Sequence, residues 1–326
     1  MPSPHEPHVL VLAWTSDAGR GRSRALAEEL GAPVLFMPWA EHRGSKLSLI
    51  GRYARSARTT RRAVRALPTG SVVVSQLPPV FAPLVVLAAG RGRLSLVLDA
   101  HSGTWNDRRW EWSHRLLARI LRRTRLLIVT NLGLLEGRPV PAGTEIAVAH
   151  DPLALRRTAT PATQGPQRVV FPASGASDEP LAAVTEAGRR LAADGIAIVV
   201  TGSHSPQVQG PGIERPGWLD QADYERLIDS SAAILALTTR EHTMQRAAYE
   251  ALERGLPIVA SGTGVLREAL GPAAVYVDPD ADSIVAGIRD AIARRDELLV
   301  AGDTVADEMR AQTRAVLDRV AAMVGS

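Results

Sequence analysis

Short runs of Val, Leu and Ile recur along the chain, spaced so that most neighbouring runs leave room for a helix between them: HVLVLAW (8–14), PVLFM (33–37), SVVVS (71–75), LSLVLD (94–99), LLIVT (126–130) and EIAVA (145–149). Strands apolar along their whole length must be covered on both faces, and an intervening helix supplies the crossover that parallel pairing needs. A second series, RVVFPA, IAIVVTG, AAILALTT, PIVAS and AAVYVDP, follows residue 166. Between the series lies ALRRTATPATQGPQ, with prolines, small polar residues and no period, which reads as a linker.

The expected fold class is therefore α/β: two Rossmann-like domains over 1–152 and 167–300, facing across a cleft. The linker takes 153–166, and a C-terminal helix over 301–326 is expected to pack back towards the first domain. In such sheets ligands bind beyond the carboxyl ends of the strands, so function is to be sought in the strand-end loops.

Composition removes several chemistries. The 326 residues contain no cysteine, which excludes disulfides, thiolate nucleophiles and cysteine metal sites. Lys46 is the only lysine, and its setting, GSKLS, is no Walker loop. No apolar run approaches the ~18 residues of a membrane span and the first residues show no leader, so a cytoplasmic protein is expected. Charge divides unevenly: residues 1–150 carry 21 Lys+Arg against 10 Asp+Glu, and the remainder 17 against 24. The two halves are expected to meet different partners.

The stretch LTTREHTMQRAAYEALERGLPIVAS (237–261) runs from strand to loop to helix to strand. Thr243 is the expected N-cap, which would leave the amides of Met244, Gln245 and Arg246 at the positive helix end, where an anion is favoured. Arg240 and Arg246 add charge-assisted donors suited to a diphosphate. Glu250 lies in the otherwise apolar AAYEAL, where a carboxylate needs donors; two ribose hydroxyls supply them, and a salt bridge on a solvated face is the plain alternative.

The 65 residues from Tyr224 to Ile288 resemble the donor half of GT-B glycosyltransferases related to family 4, also called group 1. The resemblance rests on Glu250-Ala251-Leu252, Gly255-Leu256-Pro257-Ile258-Val259-Ala260-Ser261, Glu268-Ala269-Leu270-Gly271 and Val277-Asp278-Pro279, which fall in the family's register. The wording T-T-R-E-H-T-M-Q resembles a bacterial subgroup of the polysaccharide type. The resemblance implies a nucleotide-sugar donor with Glu250 on the ribose and the loop around His242 and Thr243 on the sugar and phosphates. His242 stands where the family has a first glutamate, with Glu241 one place earlier. Where relatives carry Arg and Lys after the first donor-domain strand, this chain has PASGASDEP (172–180), so the amides of Ser174, Gly175 and Ala176 are expected to serve instead. Gly202, in TGSH after the next strand, joins the expected donor contacts, and Trp218 is either a stacking platform for the base or ordinary packing.

In the first half, LVLDAHSGTWNDRRWEW (96–112) sets Asp99 and His101 at a strand end, with Ser102 and Gly103 in the turn. Sugar transfer needs either a base for the acceptor hydroxyl or groups that stabilise a sugar cation and the leaving phosphate. Asp99, His101, Asp107 and Glu111 are available. The resemblance favours His101 at the reaction centre with Asp99 orienting it; a histidine that merely satisfies backbone groups is the alternative. Gly19, Arg20 and Gly21 open a helix but lack the third glycine and the later acid of a dinucleotide fingerprint, and are expected on the acceptor side. Gln76-Leu77-Pro78-Pro79 resembles a Q-N-P-P turn of relatives, with proline also suited to starting a helix.

Arg52, Arg55, Arg58, Arg62 and Arg65 recur on one helical face, and RRWEWSHRLLARILRRTR joins tryptophans to Arg115, Arg119, Arg122 and Arg123. Such helices either lie on anionic lipid or present a solvated arginine face. The expectation is a hexosyltransferase needing neither cofactor nor metal, as the resemblance implies for a family usually independent of divalent ions, with a carbohydrate or lipid-linked acceptor and no nucleic-acid partner. A sugar-nucleotide epimerase and a non-catalytic subunit of the same fold are the competing readings.

Overall fold

The computed structural model describes residues 8–15, 21–37, 46–154, 167–202 and 208–325. The chain divides into two compact units, Met1–Pro152 with Arg310–Ser326, and Leu153–Met309.

In the first unit the strands are β1 (Val9–Ala13), β2 (Val34–Phe36), β3 (Val72–Leu77), β4 (Ser95–Ala100), β5 (Leu126–Val129) and β6 (Ile146–Val148). They form one parallel sheet in the order β2-β1-β3-β4-β5-β6. Helices α1 (Arg22–Glu29), α2 (Lys46–Ala66), α3 (Phe81–Gly90), the single turn α4 (Gly103–Asn106) and α5 (His114–Leu121) fill most of the connections. Successive side chains of a strand enter opposite cores. Leu10 and Leu12 join Val73, Leu96 and Leu98 on one face, while Val11 joins Val72, Val74 and Val97 on the other. Each such side chain contributes about 1.5–3 kcal/mol on burial, which is why the strands carry no polar alternation.

The second unit repeats the plan with β7 (Gln167–Pro172), β8 (Ile196–Thr201), β9 (Ile213–Gly217), β10 (Ala233–Ala236), β11 (Ile258–Ser261) and β12 (Ala274–Val277). Their order is β12-β11-β10-β7-β8-β9, again all parallel. The helices are α6 (Leu181–Leu191), α7 (Gln221–Asp229), α8 (Arg246–Arg254), α9 (Gly264–Leu270), α10 (Ala281–Ala293) and α11 (Arg295–Ala322). Strand β9, IERPG, is absent from the apolar series because it is an edge strand paired only with β8, and its residues are exposed or half-buried.

Helix α11 starts at Arg295, ahead of the expected 301, and contributes to both units. Ala306 and Met309 pack in a core of the second, while Val316 and Val320 cover the Val11 and Val72 face of the first. Thr313 Oγ1 accepts a hydrogen bond from the backbone N–H of His150 at 3.0 Å. Among the described residues no helix is long and apolar enough to cross a membrane.

Candidate functional site

Each unit gathers polar groups at the carboxyl ends of its strands. In the first, Asp99 is the penultimate residue of β4 and is only 1% exposed. A carboxylate so buried needs a counter-charge. Arg22, the first residue of α1 and itself buried, supplies it: Nε donates to Asp99 Oδ1 at 2.9 Å and to Oδ2 at 3.1 Å, and Nη1 donates to Asp151 Oδ1 at 3.0 Å. Burial raises the Asp99 pKa, but the Arg22 charge and the His101 hydrogen bond outweigh it and hold the carboxyl well below the ordinary carboxylate range.

His101 Nε2 lies 3.3 Å from Asp99 Oδ2. Because Asp99 is ionised and accepts only, this nitrogen is the donor, and Nδ1 is the ring nitrogen turned away from Asp99. The His101 side chain keeps 31% of its surface exposed, so the ring is both oriented from behind and reachable from outside. The backbone is fixed on either side: His101 N–H donates to Leu77 O at 3.1 Å, and His101 O accepts from Thr104 N–H at 2.9 Å. Ser102 caps α4 and Gly103 opens it. The turn is held from below by His114, whose Nε2 lies 3.1 Å from Thr104 O and whose ring packs 5.3 Å from that of Trp105.

Of the other expected acids, Asp107 caps the next turn and pairs with Arg109, and Glu111 is exposed. Gly21 caps α1 with an extended backbone, while Gly19 and Arg20 lie outside the described residues. Gln76 stands beside Asp99 in the β3–β4 register, and its Oε1 accepts from Ser23 Oγ at 2.8 Å. Arg22, Asp151 and His150 carry no local sequence signal for this site. The usable signal was the strand-end aspartate, which required a cation from somewhere in the chain.

In the second unit the β10–α8 loop corrects one expectation. The N-cap of α8 is Gln245, not Thr243, and the helix begins at Arg246. His242 has φ +61, in the left-handed region, and the turn at Glu241 and His242 is followed by Thr243 and Met244 without regular structure and by an extended Gln245 before the helix starts. That backbone costs about 1–2 kcal/mol for a residue with a Cβ. The first-turn amides are thus those of Arg246 and Ala247, while Ala248 N–H already donates to Gln245 O at 3.1 Å.

Glu250 lies one turn into α8 and is 18% exposed at its side chain. Oε2 accepts from the Tyr224 hydroxyl at 2.7 Å and Oε1 from Arg246 Nε at 3.1 Å. Burial first, then the Glu250 charge and this hydrogen bond, push the Tyr224 phenol far above its usual range, so it remains a donor. Each carboxylate oxygen retains a second lone pair for a ligand. Glu241 is engaged elsewhere: Oε1 accepts from Val265 N–H at 3.3 Å, at the start of α9.

Arg240 turns towards the β7–α6 loop, where Nη2 donates to Ser177 Oγ at 3.1 Å and Nη1 lies 3.4 Å from Asp178 Oδ1. Asp178 in turn accepts from Thr238 Oγ1 at 2.6 Å. In the same loop the amides of Ser174 and Gly175 point at one anion position, but Glu179 holds it. Glu179 Oε1 accepts from Ser174 N–H at 2.7 Å and from Ser174 Oγ at 2.6 Å, and Oε2 accepts from Gly175 N–H at 3.0 Å. Gly202, with φ +100, is required by backbone packing, since a Cβ there would stand 1.9 Å from Ala173 O. Trp218 is 75% exposed, so it is not packed inside the unit. Ser203 and His204 lie outside the described residues.

Solved structures share this double-sheet plan. HepE of Anabaena, crystallised with UDP and glucose, is 13% identical, with a TM-score of 0.68 over 97% of this chain and 98% of that one. The chain has the GT-B fold. Other GT-B structures agree: a UDP-forming alpha,alpha-trehalose-phosphate synthase from Burkholderia xenovorans is 11% identical, with a TM-score of 0.68 over 98% of both chains. A glycosyltransferase from Rickettsia africae ESF-5 is 11% identical, with a TM-score of 0.67 over 99% of this chain and 100% of that one. No protein-family model and no curated protein matches the sequence. At these identities the GT-B likeness concerns the fold, and the chemistry rests on the side chains described above.

Proposed function

We propose that the protein is a nucleotide-sugar-dependent hexosyltransferase of the family 4 kind, acting in the assembly of a polysaccharide or glycolipid. The observation that carries the reading is Glu250: a reachable carboxylate, held by Tyr224 and Arg246 with lone pairs to spare, one turn inside the helix that follows the β10 loop. On this reading Glu250 accepts the ribose hydroxyls, and His242, Thr243, Met244 and Gln245 line the sugar and phosphates. Arg240 and Arg246, with the amides of Ser174 and Gly175 once Glu179 leaves them, balance the diphosphate charge without a divalent ion or cofactor, and Gly202, whose own N–H donates to Gly217 O, offers only close backbone approach. In the first unit His101, oriented by Asp99, serves the acceptor hydroxyl or the leaving phosphate, with Gly19, Arg20, Gly21, Ser102 and Gly103 on the acceptor side.

The uridine nucleotide and glucose held by HepE make UDP-glucose the first donor to test. Thermal shift against UDP-, GDP-, ADP- and dTDP-sugars is the direct experiment, because a ligand bound only by the folded state raises the apparent stability. One donor is expected to raise the melting temperature in the presence of EDTA, and Glu250→Ala to abolish the rise. No shift with any of the four rejects the reading.

The exposed arginines Arg55, Arg58, Arg62 and Arg65 of α2 and Arg115 and Arg119 of α5 suit an anionic bilayer surface, consistent with a cytoplasmic enzyme working at the inner membrane face. Sedimentation with anionic liposomes, and its loss at high salt, is the expected result; equal sedimentation with neutral liposomes removes this part.

A further inference from the structure

The first unit contains a cavity of about 1290 Å³ that the chemistry above leaves unused. It is larger than the roughly 300–1,000 Å³ of a pocket for a drug-sized molecule. Its wall carries a string of aromatic rings: Trp14 packs against Tyr53 at 5.6 Å, Tyr53 against Phe81 at 5.4 Å, and Phe81 against Trp112 at 5.7 Å. Leu49, Ile50 and Trp112 line it and are 40%, 67% and 59% exposed, so the apolar surface continues outward to solvent.

Two arginines, Arg52 and Arg109, also line it, and no acidic side chain does so among the described residues. Arg109 is paired with Asp107. Arg52 Nε is buried and has no hydrogen-bond partner among the described residues, an arrangement that costs stability unless a ligand completes it. Gln76 lines the cavity too and is the register neighbour of Asp99, which connects the cavity to the strand ends bearing His101.

We infer that this cavity holds the lipid end of the acceptor: a long-chain prenyl phosphate or diphosphate carrying the sugar to be extended, with the chain along the aromatic wall and a phosphate oxygen on Arg52 Nε. The inference rests on the glycosyltransferase reading and narrows its acceptor from carbohydrates in general to a lipid-linked one. The apolar wall alone accounts for a chain, and the orphaned guanidinium N–H accounts for an anion; only an amphiphile satisfies both. Arg52 is a binding and positioning residue here, and the step itself is unaltered: the acceptor hydroxyl oxygen bonds to the sugar anomeric carbon and gives up its proton to His101 or to the leaving phosphate, while the bond from that carbon to the phosphate oxygen breaks and its electron pair leaves with the nucleoside diphosphate.

The test uses the full chain, with farnesyl phosphate below its micelle concentration as the probe and isothermal titration as the readout. Farnesyl phosphate is expected to bind saturably, with farnesol and inorganic phosphate weaker by about tenfold or more. Arg52→Gln should bring farnesyl phosphate down to the level of farnesol. Ala54→Trp, at an exposed position on the cavity edge, should weaken both prenyl ligands without unfolding α2. Farnesyl phosphate no tighter than inorganic phosphate, or binding untouched by both substitutions, overturns the assignment. Thermal shift with UDP-sugars in the same samples separates the two readings: a nucleotide response without prenyl binding rejects only the lipid site. Prenyl binding without any nucleotide response rejects the transferase.

Discussion

Arg22 and Asp99 form an ion pair inside the first unit, 77 residues apart in sequence, with Nε donating to both carboxylate oxygens at 2.9 and 3.1 Å. Removing one member leaves the other charged and desolvated. Arg22→Met is expected to cost about 3–5 kcal/mol, measured by urea unfolding at pH 7. Adding Asp99→Asn should recover part of it, because neither charge then remains. The folded-state pKa of Asp99 is depressed, so its contribution is present above the ordinary value of about 3.9 and is lost as pH falls through the folded value. Arg22→Met should flatten that part of the acid limb.

His150 titrates in a different window. Burial first, then the Arg22 charge, lower its imidazole to about 4, so the folded protein keeps it neutral while the unfolded chain protonates near 6.5. The unfolded state therefore binds more protons between those values, and stability falls as pH drops from about 6.5 to about 4. His150→Gln should shallow that slope in denaturation midpoints taken at pH 7 and pH 4.5.

Tyr224 and Glu250 separate architecture from ligand binding. Tyr224→Phe removes one charge-assisted hydrogen bond and is expected to cost about 1.5–3 kcal/mol. Glu250→Gln keeps an acceptor for Tyr224 but loses the charge, so nucleotide-sugar affinity should drop about tenfold with a smaller change in stability. Equal nucleotide affinity in Glu250→Gln and wild type would remove the carboxylate from the donor site.

Glu179 occupies the amide pair of Ser174 and Gly175 that a phosphate would use. Glu179→Ala is expected to tighten inorganic pyrophosphate, read by competition with a nucleotide-sugar, because a resident anion no longer has to leave. Unchanged affinity assigns the loop to structure alone.

Which parts could be read from sequence follows from the distance over which each was specified. Both sheets were legible because strands covered on two faces are written as uninterrupted Val, Leu and Ile, whereas β9, a polar edge strand, carries no such mark. Asp99 and His101 lie two residues apart on one strand end, so their meeting is a local matter. Arg22 reaches Asp99 across 77 residues and Asp151 across 129, and no local pattern encodes that. The start of α8 is not legible locally because the positive φ of His242 is a property of the folded loop; Thr243 has the chemistry of a cap but not the place. The nest at Ser174 and Gly175 was readable, but its capture by Glu179, four and five residues on, was not. The aromatic wall was hidden for the simplest reason: Trp14, Tyr53, Phe81 and Trp112 come from four separate segments.

Helix α11 gives its early turns to the Leu153–Met309 unit and its late ones, with Val316, Val320 and the Thr313 bond to His150, to the sheet begun at β1. The N-terminal lobe is therefore not a contiguous gene fragment. Expressed from residues 1–152 alone it would bare an apolar strip and lose its fastening, so isolating it for titration calls for grafting residues 310–325 back by fusion or permutation rather than simple truncation.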